Sequence, residues 1–120
     1  MRRDARAYLT DACDAAALIR QFVHGRTLVD YRADPMLRSA VERQFEILGE
    51  ALNQLAKTAP ALAERITDLR RMVDFRNVLA HAYAIVDDAL VWQAVQHNLP
   101  ALAQTVVALL VEVSSDDHFA

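Results

Sequence analysis

The chain has 120 residues and a formal net charge of −3; 54% of it is hydrophobic, and it holds only two glycines, Gly25 and Gly49. An average chain of this length carries roughly eight glycines. So few exclude a glycine-rich phosphate loop or dinucleotide turn, which need glycines clustered at a strand–helix junction, and they argue against a sandwich or barrel with many positive-φ turns.

Alanine, leucine and arginine dominate, and all three are strong helix formers. The length fits one domain. The expectation is an all-α, up-and-down bundle of four to five helices over residues 1–113, with a polar tail at 114–120. The apolar fraction exceeds what one small monomer needs to bury, which points to dimerisation. Lys57 is the only lysine, so the positive charge is almost all arginine, a residue suited to bidentate phosphate or carboxylate contacts. The single Cys13 excludes an internal disulfide and a cysteine zinc cluster. Charges run through the opening MRRDARAYLTDACDAA where a signal would be apolar, and no run of eighteen apolar residues occurs. A cytoplasmic protein with no membrane partner is expected.

The first helix is predicted from about Asp4 to His24, with Tyr8, Leu9, Ala12, Ala15, Ala16, Ile19, Phe22 and Val23 on one face. Gly25 follows at the position where a left-handed residue ends a helix cheaply. Thr27 to Ala33 reads as a connector. Asp34-Pro35 is a cap followed by a proline at the first helical position. The second helix runs from Pro35 to about Lys57, with Leu37, Val41, Phe45, Leu48, Leu52 and Leu55 as its stripe. Pro60 stops it and opens a short helix to about Arg65. Thr67-Asp68 caps a third helix reaching about Tyr83. Asp87 or Asp88 caps a fourth, which Asn98 and Pro100 kink or restart and which ends near Val113.

The third helix holds an anomaly. With about 100° of rotation per residue, Arg76 falls in the middle of the apolar face formed by Leu69, Met72, Val73, Leu79, Ala80 and Tyr83. Arginine is almost never fully buried without a partner. Something must meet it: an internal carboxylate, or a cleft where phosphate binds. Asn77 and His81, four apart, are neighbours on one flank of that stripe.

These residues resemble a known family. FRNVLAHAYAIVDDALVW, Phe75 to Trp92, looks like the core of the HEPN domains, and in detail like the HepT-type toxins paired with minimal nucleotidyltransferase antitoxins. The family motif, Arg-x4-His followed by x-Tyr, reads Arg76, His81 and Tyr83 without departure. VERQFEILGEAL, Val41 to Leu52, is similar to the family's second-helix segment. The resemblance implies a metal-independent ribonuclease without a cofactor, acting on RNA as a homodimer whose motifs line a cleft between protomers. Arg76 and His81 would be the catalytic pair, supported by Asn77. A cognate nucleotidyltransferase would transfer AMP from ATP onto Tyr83 and silence the nuclease. The alternative is a catalytically silent HEPN dimer that serves the nucleotidyltransferase as a docking or nucleotide-binding subunit.

Other polar residues read as structural. His24 and His97 lie near helix ends, and His118 in the tail. Glu42, Glu46 and Glu50 form a solvated face by default, although Glu50 could reach Arg76 across the bundle or meet the antitoxin. Trp92 is core or interface, Gln44 a bundle hydrogen bond, and Cys13 a small core residue. Arg2, Arg3, Arg6, Arg70 and Arg71 serve solubility before RNA guidance.

Overall fold

The computed structural model describes residues 4–81 and 86–119. Among them there is no strand. Seven α-helices follow in chain order: α1 (Ala5–Val23), α2 (Leu28–Ala33), α3 (Pro35–Thr58), α4 (Pro60–Ala63), α5 (Leu69–His81), α6 (Asp88–Gln93) and α7 (Leu99–Phe119). A π-helical turn, Ala94–Asn98, joins α6 to α7.

Local chemistry sets most of the ends. The Asp4 carboxylate accepts a hydrogen bond from the Ala7 N–H at 3.0 Å and caps α1. Gly25 has φ +74°, the left-handed conformation that ends the helix after His24. Asp34 Oδ1 accepts from the N–H groups of Met36 and Leu37, both at 3.1 Å, and Pro35 occupies the first turn of α3. Asp87, rather than Asp88, caps α6 by accepting from the Ala89 N–H at 2.9 Å.

Two segments depart from the expectations. Thr27 to Ala33 is not a connector but opens a helix: Thr27 Oγ1 accepts from the Asp30 N–H, and the Asp30 carboxylate accepts from the Thr27 N–H. This reciprocal pair is a capping box with Asp where Glu or Gln is usual. The helix it starts carries Tyr31, which is fully buried and meets the Trp92 ring at a centroid distance of 5.5 Å. The last helix does not end near Val113 but runs to Phe119. Just before that extension, Arg65 donates to both carboxylate oxygens of Glu112 at 2.9 Å, tying α7 to the end of α4. Between Asn98 and Pro100 the α-helix restarts, as expected: the π-helical turn ends at Asn98, α7 begins at Leu99, and the Leu99 N–H reaches back to the Ala94 carbonyl, so the wider turn carries the chain past a proline that cannot donate.

The core lies between α1, α3, α5 and α7. All six residues of the α3 stripe, Leu37 to Leu55, are buried, and they face Leu9, Ala12, Ala16 and Ile19 of α1. Leu99, Leu102, Val106 and Leu109 bring α7 onto α1. By length and apolar content alone, Asp88–Ser115 could cross a bilayer. Here one side of it forms the bundle core, and Gln93, Gln96, His97 and Asn98 interrupt its first half. Phe45 of α3 and Phe75 of α5 meet edge to face at 5.1 Å, which fixes the helix carrying Arg76 against α3.

Candidate active site

α5 buries Leu69, Met72, Val73 and Leu79. Arg76 stands among them, as its spacing predicts, whereas Ala80 is exposed. The charge is met by Glu50 of α3: one terminal nitrogen of Arg76 lies 2.7 Å from Glu50 Oε2, with 21% of the arginine side chain exposed and 50% of the glutamate. Glu50 is therefore the carboxylate that the buried position demanded. Its other oxygen, Oε1, accepts from Gln54 Nε2 at 3.0 Å, one turn further along α3. This shared bonding holds the carboxylate in one orientation, so the guanidinium is anchored at one end. Arg76 Nε is buried and has no hydrogen-bond partner among the described residues. A buried donor of this kind is costly unless something accepts from it.

The close seam between α3 and α5 is made by Gly49. A Cβ at that position would collide with Arg76 Cβ, and it would stand 2.9 Å from Arg76 Cγ and 2.9 Å from the Met72 carbonyl oxygen. The absence of a side chain lets α5 lie directly on α3, which carries the root of Arg76 against the helix that supplies Glu50. Sequence reasoning passed over this residue. The available signal was a glycine in the middle of a long helix, where it costs about 1 kcal/mol relative to alanine and therefore needs a packing reason.

The other motif residues are placed by register. Asn77 is exposed, next to Arg76 and turned away from the α3 seam. His81 is the last residue of α5, about 140° around the helix from Arg76, on the flank that Asn77 shares. For His81 the description stops at the helix backbone, and Tyr83 lies outside the described residues. The structure thus joins Arg76 to Glu50 within the chain, with Asn77 exposed on the adjoining flank.

The remaining candidates are accounted for locally. Burial, and then the Asp14 carboxylate, push the pKa of the Cys13 thiol up, which works against thiolate formation. Glu42 is less solvated than its spacing predicts: burial raises its pKa first, and Asp88 and Glu46 add to that against the opposing Arg38. His24 is exposed at the end of α1, and His97 is exposed in the π-helical turn. Arg6, Arg70 and Arg71 are exposed, while Arg2 and Arg3 lie outside the described residues.

A family model described as ribonuclease HepT-like matches residues 12–109. A Thermococcus cleftensis protein named "Probable ribonuclease HepT" is 33% identical over 102 residues, covering 85% of this chain and 92% of that relative. A Methanocaldococcus jannaschii protein named as a gamma-glutamylcyclotransferase and "putative RNase" is 27% identical over 118 residues; the match covers 98% of this chain but only 53% of that longer relative. Another protein of the same organism, named "Putative RNase", is 29% identical over 107 residues and is covered to 95% of its length. No solved structure gives a significant match.

Proposed function

This chain belongs to the HepT-like ribonuclease family, and on that premise we propose that it is a metal-independent RNA endonuclease, the toxin of a toxin–antitoxin pair, acting as a homodimer. The observation that carries the reading is Arg76: a guanidinium in a core position, anchored at one end by Glu50, with a buried Nε–H unpaired among the described residues. An anchored, half-buried guanidinium suits a phosphodiester, because it offers fixed donors to the phosphate oxygens as charge grows on them.

RNA supplies its own nucleophile. The ribose 2′-oxygen attacks phosphorus while His81 takes its proton, and the bond from phosphorus to the 5′-oxygen breaks. The leaving 5′-oxygen is protonated by an imidazolium, which the His81 of a second protomer supplies in a dimer cleft. The products are a 2′,3′-cyclic phosphate and a 5′-hydroxyl. Arg76 holds the phosphate throughout, and Asn77 supports it from the exposed flank. Regulation acts at Tyr83: its hydroxyl takes AMP from ATP through the cognate nucleotidyltransferase, releasing pyrophosphate. The added phosphate and nucleoside bring negative charge and bulk to the end of the motif helix.

The test is incubation of purified protein with RNA in EDTA, beside Arg76→Ala and His81→Ala. Wild type should cleave, leaving cyclic phosphate ends, and each variant should lose at least about 100-fold of the rate. Equal behaviour of all three proteins would leave the silent docking subunit as the reading. After incubation with the nucleotidyltransferase and ATP, the intact mass should rise by AMP in wild type and stay unchanged in Tyr83→Phe.

A further inference from the structure

Two arginine–carboxylate pairs in this chain are built differently. Between Arg65 and Glu112, two terminal nitrogens donate to two carboxylate oxygens, both at 2.9 Å, so the fork is closed. At Arg76, Glu50 Oε2 lies 2.7 Å from one terminal nitrogen, while Oε1 accepts from the Gln54 amide at 3.0 Å. Gln54 is one helical turn beyond Glu50, so the two side chains share a face of α3. Half of the Glu50 side chain is exposed, so packing does not fix the rotation of its carboxylate. The Gln54 amide does, and because it carries no charge it orients Glu50 without neutralising it.

We propose that Gln54 is a positioning residue for the reaction: by holding Glu50 Oε1 it keeps Glu50 to one contact with Arg76 and leaves the terminal edge of the guanidinium to the phosphodiester. The proposal rests on the nuclease reading and adds a residue to it. Competition between two anions makes the division matter. Arg76 Nε is buried, so the donors that a phosphate can reach are those of the terminal nitrogens. A phosphate is held best by two parallel N–H groups, and a carboxylate prefers the same geometry. Glu50 and the substrate therefore contend for one edge of one side chain. Released from Gln54, Oε1 turns to the nearest cation, and Glu50 closes the edge of Arg76 as Glu112 closes that of Arg65. Held by Gln54, the carboxylate anchors the guanidinium without occupying it. Glu50 thus serves orientation, and Gln54 prevents that service from becoming inhibition.

Steady-state RNA cleavage is measured for the full chain as wild type, Gln54→Met, Glu50→Gln and the double variant, with circular dichroism checking that each folds. Methionine keeps the length and helix propensity of glutamine and removes the donor. Gln54→Met should raise KM about five- to tenfold and leave kcat within about twofold. Where Glu50→Gln has already removed the competing charge, adding Gln54→Met should change KM by less than about twofold. Affinity for a 2′-deoxy oligonucleotide, which lacks the nucleophile and is not cleaved by this chemistry, should follow the KM values. An unchanged KM in Gln54→Met overturns the proposal and leaves the nuclease reading standing. A loss of equal size in both backgrounds does the same, because it is then independent of the Glu50 charge. If none of the proteins cleaves RNA but the oligonucleotide affinities keep the expected pattern, Gln54 retains its place at the phosphate site and the nuclease reading is overturned instead.

Discussion

At the scale of single residues, the site depends on a missing atom as much as on a charge. Gly49 sits inside a 24-residue helix, where alanine would serve helix formation better by about 1 kcal/mol. The collision of a Cβ with Arg76 and the Met72 carbonyl works in the opposite direction. Two backbone elements, rather than one flexible side-chain end, would have to move, and overpacking of this kind costs about 1–3 kcal/mol. Gly49→Ala should therefore destabilise the fold by about 1–2 kcal/mol in urea unfolding, and it should lower cleavage further by shifting the root of Arg76 away from Glu50. A stabilised Gly49→Ala would show that helix propensity, not the seam, governs this position. The misplaced charge of Arg76 was legible from spacing alone, because an arginine in an apolar stripe demands a partner. Its partner was legible only as one candidate, because Glu50 read equally as part of a solvated face. Glu50 lies on the flank of α3 away from its main stripe, and only the close approach of the two helices brings it to the guanidinium.

At the scale of elements, the long helices were legible because their apolar residues recur at three and four and their ends carry strong caps. α2 was not. Six residues are too few to show a period, and its start signal uses Asp30 in place of Glu or Gln. The consequence is that Tyr31, a fully buried anchor against Trp92, lay in a stretch read as loop. The extension of α7 past Val113 was hidden for a different reason: Ser114, Ser115, Asp116 and Asp117 are polar and carry no apolar period to announce a helix. The corner formed by α2, α3 and α6 also stores an electrostatic cost. Burial raises the pKa of Glu42, Asp88 and Glu46 push it the same way, and Arg38 opposes them. A carboxyl with a raised folded pKa favours folding when it is protonated, so its contribution is present below the unfolded value, about 4.3, and is lost as pH rises through the folded value. Glu42→Gln should accordingly raise the thermal midpoint at pH 7. The gain should shrink with acidification and vanish below about pH 4, when wild type is protonated too. Thermal unfolding from pH 3.5 to 7.5 measures both; a gain that persists at the acid end would mean packing, not charge, is responsible.

At the scale of the whole molecule, the apolar surplus of the sequence still needs a destination, and the bundle core takes only part of it. The family resemblance implied a dimer cleft around Arg76 and His81; within one chain the Arg76 guanidinium pairs with Glu50 of α3. What α5 presents outward is Val78, 59% exposed, with Leu90 of α6, also 59% exposed, across a groove of about 340 Å³ that Met72, Phe75 and Ala94 help to line. Arg71, Asp74, Gln93 and Asn98 line the same groove, so these exposed apolar residues carry a polar rim, the pattern of a contact surface. Val78 is one residue beyond Asn77 and three before His81, so a two-fold contact through this patch would bring both copies of the motif helix together at their polar flanks. That arrangement supplies the second histidine that the proposed proton transfers use. Val78→Asp and Leu90→Asp should therefore convert dimer to monomer in light scattering at micromolar concentration. Because both side chains are more than half exposed, the monomer should remain folded, with a thermal midpoint close to wild type. Cleavage should fall with the dimer fraction, and raising the protein concentration should recover both together. A folded monomer that cleaves RNA at the wild-type rate would place both proton transfers within one protomer and remove the dimer from the mechanism.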